Sequence, residues 1–462
     1  MKKTIPLKVL QDHRSTPPTA AGRESDAGDT SASGRLSDSH PLSPTGGKKH
    51  VELSAIHDFA SKLCQPDILP RVKEYVQWQV ALRGAQSEGK IIDKIPPVPE
   101  RAPVSINLDI TTACNYACDH CVDMDILNKA IKYNHDNLLE SIRLMAEKGL
   151  KSVIVIGGGE PTVYPKFVDS VRFMKELGLQ VSVVSTGSGM KKIAQLGDCL
   201  DENDWIRLSL DSGSDEVFQA MHLPRKPITL DEICEGVQEV RKMGPKFQIG
   251  FSFIITWKGA FINDTKIVEN KHEIIMGAER ARKYGFDYIS YKPFLTRAED
   301  NNAEIVDLKE THDRFDEIIA FIRKEVDKAK KLETDTFSVF EATNLKVFEN
   351  RSYKNYTQQP RQCHMQFFRQ VLSPLGLYNC PVYRNQPHGH VGSKEACATE
   401  ESFVDTRGRV AELINSFDAH HECREVTCLY NHVNWWLEEM IAHPELLDKI
   451  EASAPGAPDY FL

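Results

Sequence analysis

Three cysteines within eight residues, Cys114, Cys118 and Cys121, are the part of this sequence best equipped for chemistry. They stand in Thr112-Ala-Cys114-Asn-Tyr-Ala-Cys118-Asp-His-Cys121, directly after an apolar run over 105–110 that reads as a strand. Three soft thiolates so close together wrap one side of an iron–sulfur cube and leave its fourth iron without a protein ligand. That open position is what a cluster needs to bind and activate a second molecule. A zinc knuckle with His120 as fourth ligand uses the same residues, although zinc loops more often show two separated pairs.

A second motif, Ile156-Gly-Gly-Gly-Glu160-Pro161, follows the next strand. Glycines there let the backbone come close to a ligand, and a carboxylate accepts hydrogen bonds from an ammonium group. A third constellation lies far downstream: Cys363, Cys380, Cys423 and Cys428. The stretch Gly376-Leu-Tyr-Asn-Cys380-Pro reads as a turn that returns the chain toward Cys363, and Cys423 and Cys428 precede a helix containing Asn434. Two separated pairs of thiolates surround a metal centre completely. Zinc with His364, His420 or His421, and Cys397 as a substitute ligand, are the alternatives. Cys64, Cys199 and Cys234 read as buried inert thiols, with a hydrogen-atom donor as the less ordinary role for one of them or Cys397.

These residues need elements to position them. From residue 105 onward, β-rich runs at 105–110, 152–156, 180–185, 205–210, 248–255 and 288–291 alternate with amphipathic stretches. Several of these stretches end at a glycine, such as Gly149, Gly178 and Gly244. Six such βα units predict a parallel sheet with right-handed crossovers. Six fall short of a closed eight-stranded barrel, so the expected fold is α/β, a partial (βα)6 TIM-like barrel with sites at the strand C-termini. Residues 1–50 are Ser-, Thr-, Pro- and Gly-rich and are expected to be disordered. Residues 51–102 read as a helical extension and Pro-rich linker, 103–335 as the barrel, and 336–462 as a C-terminal module that begins where the regular alternation stops.

The composition excludes several classes. A net charge of -9 on 462 residues argues against an electrostatic nucleic-acid binder. No apolar run approaches the roughly 20 residues that span a bilayer, and the N-terminus lacks a secretory apolar core. A cytoplasmic protein with no membrane partner is expected. Eleven cysteines in such a compartment point to metal or redox chemistry rather than to disulfides.

The CxxxCxxC spacing resembles that of the radical S-adenosylmethionine (SAM) superfamily, with Cys114, Cys118 and Cys121 matching position by position. Gly157–Pro161 resembles that family's GGEP motif. The resemblance implies a [4Fe-4S] cluster on the three cysteines and SAM on its open iron. Gly158, Gly159, Glu160 and Pro161 would lie near the SAM amino group, and Ser185, Ser209 and Asp211 near the ribose and carboxylate. Lys292 and Arg297 would meet the SAM carboxylate or an anionic substrate. The C-terminal cysteines resemble the twitch form of the SPASM extension, which implies an auxiliary [4Fe-4S] cluster. The implied reaction is reductive SAM cleavage to a 5′-deoxyadenosyl radical, then hydrogen abstraction from a small polar metabolite in a dehydrogenation or epimerisation. An electron donor such as flavodoxin or ferredoxin is implied as partner. Peptide maturation, and a non-catalytic iron–sulfur or zinc protein, are the rival readings.

Overall fold

The computed structural model describes residues 57–87, 97–262, 265–298, 304–306, 314–453 and 457–462. The expected disordered tail over 1–50 and the first two residues of the Pro-rich linker, 95 and 96, lie outside them.

The alternation read from the sequence becomes six parallel strands: β1 (Ser105–Leu108), β2 (Ser152–Val155), β3 (Gln180–Ser185), β4 (Trp205–Ser209), β5 (Gln248–Ile255) and β6 (Tyr288–Pro293). They pair in sequence order and form a partial barrel. The crossovers carry α3 (His135–Glu147), α4 (Phe167–Glu176), α5 (Met190–Ala194), α6 (Asp215–His222), α7 (Leu230–Lys242) and α8 (Ile274–Lys283). Local sequence sets their limits. Asn134 caps α3 by accepting from the Asp136 and Asn137 N–H groups, and Thr229 and Glu232 form a reciprocal capping box at α7. Gly149 and Gly178 follow α3 and α4 at φ +102° and +75°, a left-handed turn that side-chain-bearing residues rarely adopt.

The expected boundary at 335/336 does not separate two sheets. After α9 (Phe315–Lys330), β7 (Ser338–Glu341) pairs in parallel with β6, so a seventh strand continues the barrel. On the other side, β8 (Arg369–Ser373) pairs in parallel with β1 and begins an antiparallel hairpin with β9 (Gly376–Tyr378), followed by β10 (His390–Gly392). The result is one ten-stranded sheet. The sequence hid this because β7 and β8 are short and separated by irregular chain.

Two further layers complete the core. The helices α1 (Phe59–Leu63) and α2 (Leu69–Ser87) pack with α14 (Asn431–Ala442). His57 bonds Thr343 just past β7 at 3.0 Å, and Phe59 packs on Tyr430, whose ring carries the Arg369 guanidinium from β8. This helical layer therefore links the two sides of the sheet. The last residues close the barrel floor. Gln180 at the start of β3 holds the Pro458 carbonyl (2.7 Å) and the Tyr460 N–H (2.9 Å), while Phe461 packs on Trp205 at the start of β4. The opposite, open end is where the cysteines lie.

Candidate active site

The three-cysteine loop begins six residues past the end of β1, and its backbone is tied to neighbouring strand ends. Ala113 O accepts from Glu160 N (2.9 Å) after β2, and Asn115 donates to Ser188 Oγ (2.9 Å) after β3. At the end of α6 the carbonyls of His222 and Met221 accept from Ala117 N and Asp119 N. Burial raises the thiol pKa of all three cysteines, and at Cys118 the neighbouring Cys121 and Cys114 add to the rise. Three adjacent half-buried thiols are poor places for negative charge unless a cation neutralises them. A soft, sulfur-only donor set of this kind fits an iron–sulfur cluster.

The glycine motif packs directly on this loop. A Cβ at Gly159 would lie 2.2 Å from Ala113 O, and one at Gly158 would lie 2.9 Å from Thr111 O. Gly157 and Gly158 also adopt φ of +72° and +69°. Glycine is required here because two backbones meet.

Several of the residues expected near SAM are joined to one another and to their neighbours. The Glu160 carboxylate is buried, and its Oε1 accepts from Thr162 N (3.1 Å), Thr162 Oγ1 (2.6 Å) and Ser185 Oγ (2.7 Å). Its Oε2 accepts from Thr186 N at 2.7 Å. Glu160 thus staples the ends of β2 and β3, placed there by the Pro161–Val163 turn. Ser185 Oγ donates to Glu160 and accepts from Gly187 N (3.0 Å), so it is occupied too. Asp211, at φ +50°, accepts from Ile254 N at 2.7 Å and holds two histidines with its other oxygen. Ser209, by contrast, has no hydrogen-bond partner for its hydroxyl among the described residues.

Sequence reasoning missed His222. Its Nδ1 lies 3.3 Å from Cys118 Sγ, and its Nε2 lies 3.1 Å from Leu210 O and 3.4 Å from Asp211. Together with His120 it forms a His–Asp–His group whose ligand atoms all lie within 4.8 Å. Burial, which would lower the His120 pKa, is outweighed by Asp119 and Asp211, which raise it to about 9. Burial takes His222 down to about 4. Both nitrogens of His120 face carboxylates, so it is not available as the fourth ligand of a zinc knuckle. No local signal marks His222, because only the fold brings the end of α6 under the loop.

Arg384 was missed for the same reason. Its Nη1 bonds both Asp109 oxygens (2.9 and 3.0 Å) at the end of β1, and its Nη2 bonds Asp123, just past Cys121. A Cβ at Gly157 would sit 2.6 Å from that guanidinium. Arg384 follows Cys380 by four residues, so it ties the C-terminal cysteines to the first loop.

The four C-terminal cysteines converge although they come from separate segments. Burial pushes up all four thiols. Neighbouring cysteines add to the rise at three of them: Cys380 acts on Cys363, Cys363 and Cys380 on Cys428, and Cys428, Cys363 and Cys380 on Cys423. Asn434 of α14 donates to Cys363 Sγ (3.6 Å) and accepts from His364 N (2.8 Å) and Met365 N (3.1 Å), pinning that corner. Cys397 is buried beside Arg407, and none of the four cysteines is among its electrostatic neighbours. His364 is engaged by Tyr75 (2.7 Å) and Glu438 (3.2 Å), which leaves it no nitrogen for zinc. Arg297 is paired with Asp125. Lys292 is treated below.

Residues 108–270 match the sequence model of the radical SAM superfamily, so this segment of the chain carries a radical SAM domain. Its cofactors are a [4Fe-4S] cluster and SAM. Among similar proteins is an S-adenosylmethionine-dependent nucleotide dehydratase of a Thermoplasmatales archaeon (strain ISO4-H5), 33% identical over 111 residues, covering 23% of this chain and 38% of that protein. The GTP 3′,8-cyclase of Helicobacter pylori (strain J99) is 30% identical over 173 residues, covering 36% and 50%. Among solved structures, Streptococcus suis SuiB covers 78% of this chain and 85% of its own at 12% identity, with a TM-score of 0.46. The matched segments span two-fifths to half of those two curated relatives. No described helix is long and apolar enough to cross a membrane.

Proposed function

We propose that Cys114, Cys118 and Cys121 hold the [4Fe-4S] cluster that binds SAM, and that the enzyme abstracts a hydrogen atom from a small polar metabolite. The cofactors supply the radical chemistry: an electron delivered through the cluster splits SAM into methionine and a 5′-deoxyadenosyl radical that removes substrate hydrogen. The chain's own residues bind, orient and exclude water. The backbone at Gly158 and Gly159 and the unengaged Ser209 hydroxyl meet SAM, while Glu160, Pro161, Ser185 and Asp211 hold those groups in place. Cys363, Cys380, Cys423 and Cys428 would hold an auxiliary [4Fe-4S] cluster, which would supply an electron acceptor suited to dehydrogenation, with epimerisation its close rival. The electron donor is a small redox protein such as flavodoxin or ferredoxin.

The observation that carries this reading is the three-thiol loop packed on the glycine motif at the open end of the barrel. The names of the relatives, a nucleotide dehydratase and a GTP cyclase, favour a small-molecule substrate. Electron paramagnetic resonance of the reduced, reconstituted protein tests it. Adding SAM should change the cluster signal in the wild type, and an unchanged signal contradicts the assignment. With a substrate in hand, solvent deuterium appearing at the product carbon would exclude dehydrogenation in favour of epimerisation.

A further inference from the structure

The lumen side of β4, β5 and β6 follows from what the other side touches. Phe253 and Ile289 pack on Gly277 of α8, Tyr291 reaches the Ile274 carbonyl, and Leu208 faces Gly187 and Ile233. Alternation then turns Arg207, Ser252, Ser290 and Lys292 inward. Strand register stacks them in rungs. Arg207 is level with Gly250 and Tyr288, Ser252 is level with Ser290, and Lys292 is one inward step further toward the open end, level with Ile254.

None of these four polar side chains has a hydrogen-bond or ion-pair partner among the described residues, apart from the stacking of Arg207 over Trp205 (5.3 Å). The Arg207 Nε is buried without a partner, and Ser252 and Ser290 are only 3% and 5% exposed. The carboxylates that influence Lys292 are Glu304 and Asp211, and neither pairs with it; Asp211 is held by Ile254 N and the two histidines. Two half-buried cations face one lumen without a direct ion pair, with Asp211 acting on both and Glu304 on Lys292 only from a distance, an arrangement that a bound anion would stabilise. Burial, and then Arg207, bring the Lys292 pKa down to about 7, and burial, and then Lys292, take His57 to about 3. Arg384, by contrast, is paired with Asp109 and Asp123, and another buried guanidinium without an ion pair, Arg407, stacks over Phe367 in the apolar core rather than facing the lumen.

We propose that Arg207, Ser252, Ser290 and Lys292 form the substrate subsite of the barrel and that it takes a phosphate group. Two positive charges match the near-double negative charge of a phosphate, and two hydroxyls supply the further donors that its oxygens accept. The subsite lies below the open end, so a substrate anchored there extends its carbon skeleton toward the three-cysteine loop. The substrate class is a phosphorylated small metabolite. This inference rests on the function proposed above for the same barrel.

Equilibrium dialysis of radiolabelled inorganic phosphate against the full chain, reconstituted with iron and sulfide under anaerobic conditions, tests it. The wild type should saturate at about one phosphate per chain, and Lys292→Gln and Arg207→Gln should each weaken binding about tenfold or more, as loss of a charge-assisted bond predicts. Lys292→Arg should largely restore it. Unlabelled SAM should leave the phosphate bound. Displacement of phosphate by SAM, or equal phosphate binding by wild type and both glutamine variants, overturns the inference. So does failure of the wild type to bind phosphate at all. Thermal melting gives a readout that a structural role would move the other way: Lys292→Met should raise the midpoint of the phosphate-free protein, and a fall contradicts an unpaired, ligand-directed cation. Release of 5′-deoxyadenosine by the wild type, measured in parallel, separates the two ideas. With release intact and no phosphate binding, only this inference falls.

Discussion

The two cysteine groups solve the same problem, gathering buried thiols, in opposite ways. Cys114, Cys118 and Cys121 come from one loop after one strand, and the surrounding elements merely hold that loop by its backbone. Cys363, Cys380, Cys423 and Cys428 come from three places: before α11 (Met365–Phe368), after the β8–β9 hairpin, and ahead of α14. On the function proposed above, the three sulfurs of the first group would leave one cluster iron open, and the four of the second would enclose theirs. A local loop suits a site that must admit ligands. A set collected from distant segments suits a site that must be enclosed, and it also fastens the C-terminal part to the barrel.

The comparison breaks most readily at its first member. Cys118→Ala should abolish 5′-deoxyadenosine release while keeping about half of the iron, because only one of two cubes is lost. Iron analysis beside the activity assay checks this, and full retention of activity would equate the two groups. Cys380→Ala should also remove about half of the iron, yet lower product formation more than SAM cleavage. Equal loss of both would assign the two groups one shared role. Arg384, which joins them, is the next target. Arg384→Met should cost about 3–5 kcal/mol in urea unfolding, since two buried carboxylates lose their counter-charge. Adding Asp109→Asn and Asp123→Asn should recover part of that loss.

Much of this was legible in the sequence where the signals were local. The limits of β3 and β5 agree with the apolar runs, because parallel strands buried on both faces read as continuous hydrophobic stretches. The first cysteine loop was legible because all its ligands share one turn of chain. The roles of Glu160 and Ser185 were not, since residue type announces a carboxylate and a hydroxyl but not that they bond one another at 2.7 Å. His222 and Arg384 act through contacts 104 and 275 residues away in the chain, which no spacing rule reaches. The three-rung pattern of the lumen needed strand register, which apolar runs alone do not fix.

The smallest expected effect lies in the helical layer. His57 stays neutral down to about 3 in the folded chain, mainly through burial, whereas an unfolded histidine takes up its proton near 6.5. Its folded pKa is lowered, so the unfolded state binds the extra proton and stability declines as pH falls from 6.5 toward 3. His57→Gln should flatten that slope in unfolding measured between pH 7 and 5, and an unchanged slope would show that His57 does not contribute.

The account as a whole depends on a cluster with one open iron. Anaerobic reconstituted protein, given SAM and a strong reductant, should release 5′-deoxyadenosine and methionine in equal amounts. Protein fully loaded with iron and sulfide that forms neither would contradict it.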